Sequence, residues 1–178
     1  MGKTKPFEAE KLVVGIMYTD AKDYSAVTET LRGIYGDIDC ESEEYSFSDY
    51  SKYYNDEMNG TVLKRFVSFR TLVDPSALPA IKHKTNDIED RLSVNGNRRV
   101  NIDPCLLCHG RFIMATTKGA SFRIPLSSGM YADLSLVYAR NRWVDFFWTY
   151  TDIRSDMIKD FLSKVRDIYM TQRDVHPR

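Results

Sequence analysis

The run Lys11 to Tyr18, Lys-Leu-Val-Val-Gly-Ile-Met-Tyr, is almost uninterrupted by polar side chains and rich in β-formers. A half-buried strand alternates apolar and polar residues. A run as uniformly apolar as this one suits a central strand buried on both faces. The chain must therefore build a sheet around this segment, and the later elements are read for what they add to it.

A helix is expected from Asp23 to Tyr35, where Val27, Leu31 and Ile34 recur at helical spacing and Gly36 supplies the stop. Residues 38 to 47 read as a strand, followed by a Tyr-rich connection. Leu63 to Val73 reads as another strand, with Lys64, Phe66, Ser68 and Arg70 on one face and Arg65, Val67, Phe69 and Thr71 on the other. A second helix follows Asp74-Pro75-Ser76, with Ser76 expected as its N-cap and Leu78, Ile81, Thr85, Ile88 and Leu92 on one stripe. Residues 98 to 103 form a strand expected to stop at Pro104, and residues 111 to 118 form the next.

Two hairpins follow. A three-residue loop at Ser127-Ser128-Gly129 sets Ile124 opposite Ala132, Pro125 opposite Tyr131 and Arg123 opposite Asp133. A two-residue turn at Arg140-Asn141 sets Tyr138 opposite Trp143 and Val137 opposite Val144. A final helix runs from Asp156 to Gln172, with Ile158, Phe161, Leu162 and Val165 on its apolar stripe. The expected class is α+β, a ferredoxin-like βαββαβ core extended by an antiparallel β-meander and a C-terminal helix. The expected organisation is a disordered or extended segment over 1–10, one domain over 11–173 and a tail over 174–178.

Composition narrows the function classes. The 178 residues are 43% hydrophobic and 28% charged, with 25 basic and 25 acidic side chains. A net charge of zero argues against nucleic acid or a membrane surface as partner. No apolar run approaches the roughly 20 residues of a membrane span, and Leu12 to Met17 is too short for a signal-peptide core. An odd number of cysteines, three, fits a reducing compartment, so a cytoplasmic protein is expected. Oligomeric state stays open. Phosphate-loop, dinucleotide, nucleophile-elbow and zinc-protease motifs are all missing from the sequence.

Three groups of residues could carry chemistry. Cys105-Leu106-Leu107-Cys108-His109 matches the C-x-x-C-H pattern of c-type haem attachment. A zinc site there would need a fourth ligand, with Cys40, His83 and His176 as candidates by elimination. The pattern sits between two expected strands without an export signal. Packing thiols with a surface histidine are the simpler reading, and no metal or cofactor is expected.

The second group is polar: Asn101 and Asp103 at one strand end, Lys118 at the next, and Arg123, Tyr131, Asp133 and Trp148 on the hairpin faces. Such a set suits a small anionic ligand, phosphate or nucleotide-like, with Asp103 as a candidate general base and Lys118 as electrostatic stabiliser. The plainer alternative is a solvated cross-strand ion pair between Arg123 and Asp133. The third group, Lys82, Thr85, Asn86 and Glu89, reads as a solvated helix flank with Lys82 and Glu89 too far apart to pair well. Tyr45, Tyr50, Tyr53 and Tyr54 could cover a core edge. They could also offer an aromatic patch to a protein partner, and a non-catalytic interaction module is thus the alternative function.

The segments Lys-Leu-Val-Val-Gly-Ile-Met-Tyr-Thr-Asp (11–20), Tyr-Tyr-Asn-Asp-Glu-Met (53–58), Asn-Ile-Asp-Pro (101–104), Ala-Thr-Thr-Lys (115–118) and Trp-Thr-Tyr-Thr-Asp-Ile-Arg-Ser (148–155), in this order and spacing, resemble the bacterial family known as domain of unknown function 4416. The likeness runs from about Lys11 to about Tyr169. It implies a compact bacterial domain and points to Tyr53, Tyr54, Glu57, Lys82, Thr85 and Asn86. It points also to Asn101, Asp103, Pro104, Thr117, Lys118 and Arg123, and to Tyr131, Trp148, Thr149, Tyr150, Asp152 and Arg154. It implies no activity. The chain departs from the family pattern at Cys105 and Leu106, where Gly and an aromatic are expected. It departs also at Phe122, where His is expected, and at Thr151, where Pro is expected.

Overall fold

The structure, a computed structural model, describes residues 2–175. In chain order the elements are β1 (Glu10–Tyr18), α1 (Ala21–Tyr35), β2 (Ile38–Glu41), β3 (Tyr45–Ser46), β4 (Leu63–Val73), α2 (Leu78–Leu92), β5 (Val100–Leu107), β6 (Arg111–Thr116), β7 (Ile124–Pro125), β8 (Tyr131–Ala139), β9 (Arg142–Asp145) and α3 (Asp156–Val175). The strands form one antiparallel sheet in the order β2-β4-β1-β5-β6-β8-β7, with β3 added to β4 and β9 to β8. The fold is α+β. Its first four long strands, ordered β2-β4-β1-β5 and crossed by α1 and α2, are compatible with the split βαβ core, and the meander and C-terminal helix complete it.

β1 is central, as its composition demands, and all nine of its residues are buried. Its alternate side chains serve two cores. Leu12, Val14, Ile16 and Tyr18 pack with Val27 and Leu31 of α1 and with Leu78, Ile81 and Ile88 of α2. Val13 faces the other way, into a core shared with Phe66, Cys105, Phe112, Leu136 and the α3 stripe Ile158, Phe161, Leu162, Val165 and Tyr169. Each large apolar side chain so buried contributes about 1.5–3 kcal/mol. Gly15 is required by this packing: a Cβ there would lie 2.9 Å from the Phe66 ring and 3.2 Å from Lys64 Cε.

Both hairpins adopt the expected register. Ile124 pairs Ala132 and Pro125 pairs Tyr131, and the turn places Ser128 and Gly129 at φ 59° and 72°. Tyr138 pairs Trp143 across Arg140 and Asn141, both of positive φ. The expected strand over 38–47 divides into β2 and β3, both paired with β4. Asp74, not Ser76, caps the second helix region: its carboxylate accepts from Ser76 N–H at 2.8 Å and opens a short 3-10 turn that runs into α2. The strand expected to stop at Pro104 continues through it to Leu107. Among the described residues no helix is long and apolar enough to cross a membrane. His176 and the end of the expected tail lie outside the described residues.

Candidate functional site

Pro104 determines where the cleft lies. β5 stays paired with β1 along its whole length, Ile16 opposite Ile102 and Val14 opposite Pro104. At these alternate positions the backbone N–H and C=O turn away from β1 and toward β6. Pro104 has no N–H to offer there. The β5–β6 ladder covers only Cys105–Leu107, and its last pair is Cys105 with Met114. Beyond it the two strands part.

The backbone groups freed by the parting are taken up by α2. Ile102 N–H donates to Glu89 Oε1 at 2.7 Å, and Ile102 C=O accepts from Lys82 Nζ at 2.7 Å. A buried backbone group must find a partner, and these two side chains supply them. Lys82 and Glu89 are therefore buried, 6% and 5% exposed, and lie 3.6 Å apart. The solvated helix flank expected from their spacing is corrected by this: two turns along one helix leave both side chains aimed at the same strand edge.

The opening is a cavity of about 120 Å³. Lys64, Met17 and Asn101 form one row across β4, β1 and β5, and Phe66, Gly15 and Asp103 form the next. Lys64, Asn101 and Asp103 line the cavity from this side. Thr116, Thr117 and Lys118, at the end of β6 and just beyond, form the opposite wall. Phe47 and Tyr54 cover it from the segment between β3 and β4, and Tyr150 and Asp152 from the segment before α3.

Charge within the cleft is mostly paired. Lys64 meets Asp152 at 2.7 Å, and Asp152 also accepts from Tyr45 Oη at 2.9 Å. Lys82 lies 3.4 Å from Asp103 Oδ1, while Asp103 Oδ2 accepts from Asn101 Nδ2 at 2.8 Å. Arg98 grips Glu57 with two bonds, 2.6 and 2.9 Å, and donates to Asn101 Oδ1 at 3.0 Å. Lys118 forms no ion pair among the described residues; its ammonium stands 4.7 Å from the centre of the Tyr53 ring. Burial pushes the Glu89 carboxyl up to about 7; Lys82, Ile102 N–H and Arg98 pull it down, and Asp103 pushes it up further. A carboxyl that exchanges its proton near neutrality, beside a second carboxylate, can store or pass a proton.

A family model described as Domain of unknown function (DUF4416) matches residues 8–169 of the 178. The chain belongs to this family. No curated protein and no solved structure matches it.

Of the positions to which the DUF4416 resemblance pointed, Tyr54, Lys82, Asn86, Thr117, Tyr150 and Asp152 join Asn101, Asp103 and Lys118 at the cleft. Arg123 stands behind this wall. It donates to the Lys118 carbonyl at 2.7 Å and to Tyr150 Oη at 2.9 Å, and it pairs with Asp133 at 2.9 Å. That pair is buried, with Asp133 fully enclosed, so the solvated sheet face expected for it is corrected. Tyr131 packs at 3.4 Å from where a Gly119 side chain would start. Trp148 lies outside the cleft, stacked on Phe122 and Phe146, with its indole N–H donating to Leu134 C=O at 2.9 Å. Phe122, where the resemblance leads one to expect a histidine, belongs to that aromatic group and does not line the cavity.

Cys105 and Cys108 pack in the core against α3, while His109 is exposed. Burial raises the Cys105 thiol well above its ordinary range, which disfavours the thiolate that a metal needs. Among the described residues no group of three His, Cys, Asp or Glu side chains could hold a metal ion. His83 is exposed, and Cys40 packs at the edge of the α3 core. Lys64 and Arg98 were not among the expected site residues, and Glu89 was expected only on a solvated helix flank. A signal for Lys64 was present: a lysine at period-two spacing with Phe66 on a strand that must be buried.

Proposed function

We propose that the β5–β6 cleft binds a small polar ligand through an anionic group, a carboxylate or a phosphate. The observation that carries this reading is the cavity at the Pro104 break, with Lys118 as the one cation on its wall that lacks a carboxylate partner among the described residues. Lys64, Lys82 and Arg98 are already neutralised by Asp152, Asp103 and Glu57. They fix the shape of the site, and Lys118 supplies the unspent charge. Asp103, which lines the cavity, is the candidate base, with Glu89 behind it as a proton store. The family is bacterial on this reading, and three free cysteines support a cytoplasmic setting.

Calorimetric titration with inorganic phosphate and with lactate tests the reading. Binding in the millimolar range or tighter, weakened at least tenfold by Lys118→Met, is expected. No binding of either, or binding unchanged in Lys118→Met, would reject it.

A further inference from the structure

The unpartnered groups of the cleft divide into two kinds. At the mouth, the Asn86 amide and the Thr117 hydroxyl have no hydrogen-bond partner among the described residues, and neither does the Lys118 ammonium. All three offer N–H or O–H donors, as an anion requires. Deeper, Asp103 offers acceptors. Its carboxylate has about four lone-pair sites; one is taken by Asn101 at 2.8 Å and a second engages Lys82 only at 3.4 Å. Its side chain is 18% exposed, and it lines the cavity. A ligand that fills this space meets free donors in Asn86, Thr117 and Lys118 and a partly free acceptor in Asp103.

Size limits the ligand further. A cavity of about 150 Å³ admits a molecule of benzene's size, so the 120 Å³ here holds about five non-hydrogen atoms. An anionic group and one carbon bearing a donor fill it. Resting on the cleft reading above, we propose that the ligand class is a small carboxylic acid with a hydroxyl on the carbon next to its anionic end. The anion is held by Asn86, Thr117 and Lys118, and the hydroxyl donates to Asp103. A site built to accept from a hydroxyl discriminates against the analogue that lacks it, because the buried carboxylate then loses water without replacement.

Matched pairs test this class: acetate against glycolate, and propionate against lactate, titrated into the full chain. In at least one pair the hydroxylated member should bind tenfold tighter or more. Asp103→Asn should shrink that ratio to below threefold, and Lys118→Met should weaken both members alike. Equal binding within both pairs overturns the class while leaving the cleft reading standing. A hydroxyl preference that survives Asp103→Asn overturns the role of Asp103. If none of the four compounds binds while inorganic phosphate does, this class fails and the cleft reading stands; if phosphate fails too, both fall. The pair ratio in the unaltered protein decides the class even where a variant is poorly folded.

Discussion

Lys64 and Asp152 stand 88 positions apart in the chain and meet at 2.7 Å, 2% and 1% exposed, with the Phe47 and Phe66 ring centres 5.1 and 4.7 Å from the ammonium. The pair fastens the segment before α3 onto the sheet at the inner end of the cleft. Taking two charges out of water costs several kcal/mol, and their attraction offsets it only while both are present. Lys64→Met or Asp152→Asn should therefore each lower unfolding stability by about 3–5 kcal/mol, because each leaves a buried charge unpaired. The double variant Lys64→Met/Asp152→Asn should lose clearly less than the sum. Urea unfolding checks this; single variants within about 1 kcal/mol of the parent would contradict a pair that holds the cleft together.

Glu89 should give the protein a distinctive pH dependence. Its carboxyl titrates near 7 in the fold, against 4.5 for the unperturbed group. The folded state thus holds a proton that the unfolded chain has released, and stability falls as pH rises through this interval. The contribution is full below about 4.5, declines between there and about 7, and is absent above; the difference is about 3 kcal/mol. Glu89→Gln keeps an acceptor for Ile102 N–H and removes the titration. Its stability curve should be flatter between those limits. A parent protein whose stability does not fall there, or a variant with the same slope, would count against the buried carboxyl.

Pro104 should be replaceable at the cost of the site. Pro104→Ala restores an N–H on the β6 side, and the ladder that now ends at Cys105 and Met114 can extend toward Ala115. Stability should hold or rise, while lactate or phosphate binding weakens about tenfold, ~1.4 kcal/mol. Hydrogen exchange should find the new amide protected. A freely exchanging amide together with unchanged binding would show that the strands part for another reason.

Much of the fold was legible because it depends on periodicity. The apolar run of β1, the two-faced pattern of β4, the stripes of the three helices and the turn residues of both hairpins all act locally. The site was legible only in part. Asn101 and Asp103 are flagged by Pro104, which ends the β5–β6 ladder and not the strand itself, and Lys118 by the closing Thr-Thr-Lys of β6. Trp148 looked like a ring for a ligand and instead stacks on Phe122, a contact set by how the chain leaves β9. Lys82 and Glu89 looked solvated because helical spacing tells which side chains share a face, not what the face meets. What it meets is a strand edge vacated by a proline on another element, which no window of the sequence contains. Asp152 joins from 88 residues beyond Lys64 for the same reason.

The central claim is that the parted strands β5 and β6 hold a small anion. Amide chemical-shift mapping during a titration with phosphate, and again with lactate, tests it most directly. The largest shifts should fall on Ile102, Asp103, Thr117 and Lys118, saturate together, and vanish in Lys118→Met. Shifts scattered over the surface, or centred on the aromatic group around Trp148, would contradict it.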